Sequence, residues 1–132
     1  MLPRIWPFRP RPAFGRHAEI LAAEHLRRRE GYLLLACPYR APNGEIDIVA
    51  RDGDTLVFVE VKARRRDPHP EDAVTLPKQR RIALAAAAFR HEHPRYAGAP
   101  YRFDVVAVFW PAGERPRFSL RRDAFRRPGR RD

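Results

Sequence analysis

The stretch GEIDIVARDGDTLVFVEVKAR, residues 44–64, contains two runs in which apolar and polar residues alternate around a short turn. Alternation of this kind is typical of β-strands, and it predicts strands over 44–51 and 55–63. The residues between them, Asp52-Gly53-Asp54, are strong hairpin-turn residues. The sequence therefore predicts an antiparallel hairpin that carries several charged side chains among its Ile and Val residues.

The two faces of this hairpin determine what it can bind. Because side chains alternate across a strand, Glu45 and Asp47 share one face of the first strand. Glu60 and Lys62 share one face of the second strand in the same way. A two-residue turn would put all four side chains on one face of the hairpin, with Asp47 opposite either Phe58 or Glu60. A turn of odd length or a bulge would separate them.

Acidic side chains that face each other between apolar neighbours repel one another and lose hydration. They destabilise the hairpin unless a cation lies between them. Oxygen ligands from Asp and Glu, with no Cys or His nearby, favour Mg²⁺ or Mn²⁺ over Zn²⁺. The alternative is an ordinary ion-paired outer face in which Lys62 binds Glu45 or Glu60. The convergence of four charged groups favours the metal site.

Lysine is scarce in this chain, since the 27 basic residues are 25 arginines and only Lys62 and Lys78. Lysine is a compact charge with an adjustable pKa, so it suits roles that a guanidinium does not. Lys62 is suited to polarise a water beside a metal or to stabilise charge on a phosphate. Lys78 lies near a helix start, where a cation opposes the helix dipole. A bound phosphate, a nearby glutamate or plain exposure would each relieve that mismatch.

The elements around the hairpin complete a fold prediction. Apolar spacing predicts four of them: helices over 15–30 and 76–92, and strands over 32–39 and 101–109. Residues 64–72 are predicted as a loop, residues 117–120 as a short strand, and Asp123 to Phe125 as a small helical segment. The order helix, strand, strand, strand, helix, strand favours an α/β fold with a mixed sheet flanked by helices.

Two further acids lie in apolar stretches. Glu19 shares a helix stripe with Ala22, so it is expected to face the protein as a side ligand of the metal or as the partner of a buried arginine. Asp104 has Arg102 on its own strand face, and a local ion pair is favoured over catalysis. The five histidines show no spacing that ties them to these carboxylates, and they are predicted to lie at the surface.

Length and charge bound the class of protein. The 132 residues predict one domain over 14–110, with a basic, Pro-rich arm over 1–13 and a basic extension over 111–132. A net charge of +11 attracts polyanions, nucleic acid first, whereas biased coding with a solvated basic surface is the alternative. The single Cys37 excludes an internal disulfide and metal sites built on paired cysteines.

Apolar segments of the length that membranes require are missing from the sequence. The longest apolar run, residues 82–89, is far shorter than the roughly 20 residues of a membrane-spanning helix. Prolines interrupt the first residues, where a secretory signal has a continuous apolar core. A cytoplasmic protein without membrane partners is therefore expected.

Five blocks of this sequence form a specific pattern: G-x-x-A-E-x-x-A-A (15–23), GEIDIVA (44–50), FVEVKAR (58–64), AVTLPKQRR (73–81) and YRFDVVAV (101–108). In this order they resemble the bacterial YraN family of uncharacterised, nuclease-like proteins. That family resembles the PD-(D/E)xK nuclease superfamily with its restriction-endonuclease-like fold, and it is similar in appearance to archaeal Holliday-junction resolvases.

The resemblance implies roles for particular residues. Asp47 and Glu60 correspond to the two acids of the superfamily motif, and Lys62 corresponds to its lysine. The helix acid Glu19 and the carbonyl of Val61 would assist in binding Mg²⁺ or Mn²⁺.

Further residues in and beside the matching blocks receive less specific roles. Glu45 is an accessory candidate of the metal site, and Lys78 is a candidate for binding nucleic acid. Four arginines are expected to bind phosphates without reading bases, namely Arg64, Arg65, Arg66 and Arg80.

The sequence thus predicts a metal-dependent endonuclease acting on DNA that is branched or otherwise non-standard. The alternative is a non-enzymatic nucleic-acid-binding protein that retains a nuclease-type fold and whose carboxylates are only structural. A third interpretation is a protein-interaction domain. A homodimer is compatible with a junction-acting nuclease, although no feature of the sequence requires one.

Overall fold

The computed structural model describes residues 13–66 and 74–128. In these residues the elements follow the order α1 (Ala13–His25), β1 (Leu33–Ala36), β2 (Tyr39–Ala41), β3 (Gly44–Ile46), β4 (Ile48–Asp52), β5 (Thr55–Arg64), α2 (Leu76–Glu92), β6 (Tyr101–Phe109) and β7 (Arg117–Phe125). Most of the predicted N-terminal arm, the end of the predicted 64–72 loop and residues 129–132 lie outside the described part of the chain.

Five of the strands form one mixed sheet with the order β1-β4-β5-β6-β7. β5 and β6 are parallel and α2 is the crossover between them, whereas the other neighbouring strands are antiparallel. β2 and β3 pair separately as a two-stranded ribbon. The predicted mixed sheet flanked by helices is confirmed, and it is compatible with a restriction-endonuclease-like fold.

The sheet separates two apolar cores, one under each helix. Ala18 of α1 and Leu26, the residue after it ends, pack against alternate side chains of the central strands, including Ile48, Val57 and Val59. The opposite core lies between the sheet and α2, and its members include Val49, Phe58, Ile82, Phe89 and Phe103. Because successive side chains of a strand point to opposite faces, each central strand contributes to both cores.

The central hairpin has the two-residue turn that the sequence indicated. Asp52 pairs with Thr55, so Gly53 and Asp54 form the turn, and Gly53 has a φ of 60° that favours glycine. The register continues from this turn to the pair Ile48 and Val59. The even-length turn is thereby confirmed.

Two predicted strands are each divided in the structure. The strand predicted over 44–51 breaks at Asp47 into β3 and β4, and the strand predicted over 32–39 breaks at Cys37-Pro38 into β1 and β2. Proline has no N–H to donate to a ladder, and β1 is indeed at the edge of the sheet.

The end of the chain contains the one clear error in the assigned elements. The strand predicted over 117–120 extends to Phe125 as β7, so the helical segment predicted around Asp123 to Phe125 is wrong. Pairing with β6 overrides the local pattern, since Phe125 lies opposite Phe103 and stacks on its ring at 4.9 Å. Asp123 accommodates a shift of register there with a φ of 52°.

The two helices begin and end close to their predicted bounds. α2 covers the predicted residues, and the Thr75 hydroxyl accepts a hydrogen bond from the Lys78 amide at 3.4 Å as its N-cap. α1 continues through a π-helical turn to Glu30 and stops at Gly31, whose φ is 73°. No helix in the described residues is long and apolar enough to cross a membrane.

Candidate active site

Asp47 occupies the break between β3 and β4. Ile46 packs in the core under α2 and Ile48 packs in the core under α1, so the strand changes its orientation at the residue between them. The Asp47 side chain is 5% exposed, and its Oδ2 accepts a hydrogen bond from the Val61 amide at 2.8 Å. A strand amide of β5 therefore fixes this carboxylate beside the middle of the sheet.

Glu60 lies on β5, two residues after Phe58, on the side of the sheet that α2 covers. Its side chain is 5% exposed, and its Oε2 lies 3.1 Å from the Lys78 ammonium in the first turn of α2. Of the explanations open for Lys78 near a helix start, the structure supports the nearby glutamate. Helix α2 thus places the Lys78 ammonium beside the buried Glu60 carboxylate.

The two acids influence each other electrostatically. Burial and the charge of Asp47 raise the pKa of Glu60 to about 7, although Lys78 opposes that rise. Hydrogen bonding with Asp47 acts in the same upward direction. Near neutral pH the pair therefore resists carrying two full negative charges unless more positive charge is brought to it.

The donor chemistry of this pair fits a hard divalent cation. Mg²⁺ is commonly held by one or two carboxylates while it keeps several waters, and Asp47 and Glu60 are two adjacent buried carboxylates. In the described part of the chain, no group of three or more His, Cys, Asp or Glu side chains is arranged to hold a metal. Metal binding by Asp47, Glu60 and the Val61 carbonyl stays a prediction.

Glu19 has a different setting from the other two acids. It is buried in α1, which packs on the face of the sheet opposite to α2, and its Oε1 lies 3.5 Å from Arg16 Nη1. Glu19 thus has an arginine partner, which agrees with the interpretation of Glu19 as one half of an ion pair. Its role as a side ligand of the metal stays a prediction.

Lys62 follows Glu60 by two residues on β5 and is half-buried. Its ammonium makes no ion pair with an acid in the described ranges 13–66 and 74–128. The alternative of an ion-paired outer face is not what the structure shows, because Glu45 pairs with Arg40 at 3.1 Å and Glu60 pairs with Lys78. The accessory role of Glu45 stays a prediction, with its carboxylate held across the β2–β3 ribbon.

The four arginines expected to bind phosphates are in different environments. Arg66 and Arg80 are exposed. Arg64 is half-buried and donates to the Ala63 carbonyl at 3.1 Å. Arg65 lies over the ring of Phe14, with its Cζ 4.2 Å from the ring centroid. Their binding of nucleic acid stays a prediction, as does that of Lys78.

Asp104 forms the local ion pair that the sequence favoured. It is fully buried, and its Oδ1 accepts from Arg102 Nε at 2.9 Å and from the Asp123 amide at 2.9 Å. The Tyr32 hydroxyl donates to Oδ2 at 2.9 Å. The contribution of Tyr32 has no signal in the sequence, because 72 residues separate it from Asp104.

Gly44 is a residue of the site's scaffold that the sequence reasoning did not single out. A Cβ at this position would meet the carbonyl of Arg81 in α2, so only glycine lets β3 approach the helix so closely. This contact fixes the segment that leads into Asp47. A glycine inside a predicted strand is the signal that could have identified it.

Comparison with known proteins places the chain in a family. The model of the uncharacterised protein family UPF0102 matches residues 18–108. The UPF0102 protein of Renibacterium salmoninarum is 46% identical over 105 residues, which are 78% of this chain and 87% of that protein. Those of Desulfosudis oleivorans and Rhodococcus opacus are 47% and 44% identical, over 74% and 86% of this chain and 80% and 96% of their own lengths. The chain therefore belongs to the uncharacterised family UPF0102, the YraN family that its sequence blocks resemble.

Proposed function

We propose that this UPF0102 protein is a metal-dependent endonuclease that acts on DNA of branched or otherwise non-standard structure. The observation that carries the proposal is the adjacent burial of Asp47 and Glu60, each 5% exposed, with the half-buried Lys62 two residues after Glu60 on β5. A nuclease-type site requires acids that hold a cation and a basic group that faces the phosphate.

The energetics of the acid pair support a cation-binding role. Two neighbouring carboxylates in an apolar interior are unfavourable, and one ammonium from Lys78 supplies only part of the compensating charge. The pKa of Glu60 stays raised because Lys78 does not offset the combined effect of burial and of the Asp47 charge. A divalent cation would lower that pKa, because opposite charge favours the ionised form of both acids.

Each residue of the site has a defined task in this proposal. A bound Mg²⁺ or Mn²⁺ would polarise a phosphodiester and lower the pKa of a coordinated water. Asp47 is held in place by the Val61 amide, and Glu60 is held by Lys78, so the two oxygen donors are positioned in advance. Lys62 would hold the attacking water or stabilise charge that develops on the phosphate.

Basic residues outside the site support binding of a polyanion. The chain has 27 basic and 16 acidic residues, and Arg66 and Arg80 are exposed near the two elements that carry Lys62 and Lys78. Contacts from such side chains position a phosphate backbone without reading its sequence. The proposed substrate is therefore recognised by its structure and charge.

The test is a cleavage assay on four-way-junction, flapped, single-stranded and duplex DNA in Mg²⁺ or Mn²⁺. Asp47→Ala and Lys62→Ala are each expected to lower the cleavage rate by about a hundredfold or more, since each removes a group that stabilises the transition state. Asp54→Asn is the matched control, because it neutralises an exposed carboxylate in the turn of the same hairpin.

The outcomes of this assay separate the candidate functions. Cleavage that survives both Asp47→Ala and Lys62→Ala would overturn the assigned site. Salt-sensitive DNA binding that persists in EDTA and in Asp47→Ala, with no product from any substrate, would identify a non-enzymatic nucleic-acid-binding protein. Absence of DNA binding at low salt would favour a protein-interaction domain.

A further inference from the structure

A cluster of two aromatic rings and a guanidinium lies just past the end of β5, three residues beyond Lys62. The Cζ of Arg65 is 4.2 Å from the ring centroid of Phe14 and 5.8 Å from that of Trp110. The two rings are 5.7 Å apart and tilted by 34°. We refer to Phe14, Arg65 and Trp110 as the Arg65 platform.

Hydrogen bonds fix the platform from several elements. The Trp110 amide donates to the Arg64 carbonyl at 2.8 Å, and the indole Nε1 donates to the Glu114 carbonyl at 2.9 Å. Arg65 Nη1 donates to the Trp110 carbonyl at 3.4 Å. Phe14 belongs to the first turn of α1. The orientation of the guanidinium is thus set by contacts with the start of α1 and the end of β6.

The platform keeps part of its surface open to solvent. Arg65 is exposed, and the rings of Phe14 and Trp110 are each only half-buried. An arginine that attracts phosphate only through its charge needs no aromatic support. A guanidinium held over an aromatic ring offers a planar group on which a nucleobase can stack.

We propose that the Arg65 platform stacks an unpaired base of the DNA substrate. This inference rests on the proposed function and deepens it, since it names the substrate class as DNA with a base that is not stacked in a duplex. Arg65 follows Glu60 by five positions along the chain, a distance of roughly 16 Å if extended. The platform lies on the side of the sheet that α1 covers, where Trp110 packs against the core, so a strand bound at the acid pair would reach it around the end of β5. Bases inside a continuous duplex already stack on their neighbours, so they are not available to it.

The experiment measures binding in EDTA, where no cleavage occurs. Labelled single-stranded oligo-dT is compared with a strand of equal length and charge in which the bases are replaced by abasic sites. The wild-type protein is expected to bind the strand with bases at least about fivefold more tightly, because stacking contributes only when a base is present. Arg65→Lys keeps the positive charge but removes the planar guanidinium group, so the preference for the strand with bases should disappear. Arg29→Lys, at an exposed arginine in the π-helical turn after α1, should retain it.

Tryptophan fluorescence gives a second readout that a purely structural role would not change. The chain has two tryptophans, so a Trp6→Phe background isolates the signal of Trp110. Oligo-dT should quench this signal and the abasic strand should not. Equal affinity of the wild-type protein for oligo-dT and the abasic strand would overturn the proposal that the Arg65 platform stacks a base. A preference for oligo-dT that survives in Arg65→Lys would overturn it as well.

The result is independent of the cleavage assay. Base-dependent binding without cleavage of any substrate would contradict the nuclease proposal and support base stacking on the Arg65 platform. Cleavage that depends on Asp47, with no base-dependent binding, would contradict the base-stacking proposal alone.

Discussion

Two buried acid clusters lie on opposite faces of the same sheet, and their surroundings differ. Asp104, on the α1 side, accepts hydrogen bonds from the Tyr32 hydroxyl, Arg102 Nε and the Asp123 amide, each at 2.9 Å. On the α2 side, Glu60 lies beside a second acid, Asp47, and receives one ammonium from Lys78. The first acid is compensated by donors of the chain itself, whereas the second pair is compensated only in part.

This difference shows that burial alone does not mark a functional acid. Asp104 is more completely buried than Glu60, yet Arg102 and Tyr32 satisfy it. The hydrogen bonds of Asp104 and Asp52 also raise the pKa of Arg102 against the effect of its burial. What distinguishes the other cluster is unbalanced negative charge, which a divalent cation would neutralise.

The largest expected effect comes from removing the compensated acid. Asp104→Ala leaves the Arg102 guanidinium and the Tyr32 hydroxyl without their buried partner, and we expect it to lower the free energy of unfolding by about 3–5 kcal/mol. Asp47→Ala relieves the repulsion with Glu60 but leaves the Val61 amide without its acceptor, so without metal the two effects oppose each other and the loss should stay below about 2 kcal/mol. Urea denaturation at pH 8 in EDTA measures both changes. Equal losses in the two variants would contradict the comparison.

Much of the fold is predictable because its local signals agree. The Gly53-Asp54 turn fixes the register of the central hairpin, and helix α2 follows from its Thr75 cap and apolar stripe. The end of β7 is not predictable in this way. Residues 123–125 form a strand because they pair with β6. No local pattern in the sequence near Asp123 indicates that pairing.

The site is predictable to a similar extent. Alternation and an even turn are sufficient to bring Asp47 and Glu60 together on one side of the hairpin. The bend at Asp47, however, depends on Ile46 and Ile48 packing in different cores, which only the tertiary structure establishes. For the same reason, the sequence alone does not decide whether a bound phosphate, a nearby glutamate or plain exposure accounts for Lys78 near the start of a helix.

The second prediction concerns the pH dependence of the partly compensated pair. The pKa of Glu60 is raised from 4.5 to about 7 in the folded chain, so the folded state binds the proton more tightly than the unfolded state. Stability from this group is therefore fully present below about pH 4.5 and is lost as pH rises through 7, by at most about 3 kcal/mol. The difference in unfolding free energy between wild type and Glu60→Gln should fall over that range in EDTA.

A matched control separates this effect from the titration of other acids. Glu114→Gln changes an exposed glutamate between β6 and β7, so its difference from wild type should not follow the profile of Glu60→Gln. A wild-type stability that rises relative to Glu60→Gln between pH 4.5 and 7 would contradict the assigned direction of the pKa.

The third prediction tests whether a cation completes the charge balance. A ligand that binds only the folded state at 100 times its Kd stabilises that state by about 2.7 kcal/mol. Saturating Mn²⁺ should therefore raise the Tm of the wild-type chain, and more at pH 8 than at pH 5, because proton and cation compete for Glu60. The shift should vanish in Asp47→Asn and persist in Asp104→Asn. A Tm shift that Asp47→Asn leaves unchanged would show that the metal binds elsewhere.

The smallest expected effect probes the hydroxyl that joins the compensated cluster. The Tyr32 hydroxyl donates to Asp104 and accepts from Arg102 Nη2 at 2.8 Å and from Arg122 Nε at 3.2 Å. Tyr32→Phe removes these hydrogen bonds while keeping the ring, and should lower the unfolding free energy by about 1–2 kcal/mol. The matched change on the other face is Lys62→Met, which should alter stability by less than about 0.5 kcal/mol while abolishing any cleavage.

This last pair of variants makes the contrast between the clusters quantitative. If Tyr32 serves only the fold, Tyr32→Phe will leave the cleavage rate of the remaining folded protein unchanged. A large loss of stability in Lys62→Met would instead show that the lysine supports the fold, and Lys62 would then belong with the compensated cluster. Stability and cleavage should therefore separate by face of the sheet, since three donors of the described chain bind Asp104, whereas Asp47 and Glu60 repel each other and raise the pKa of Glu60 even beside Lys78.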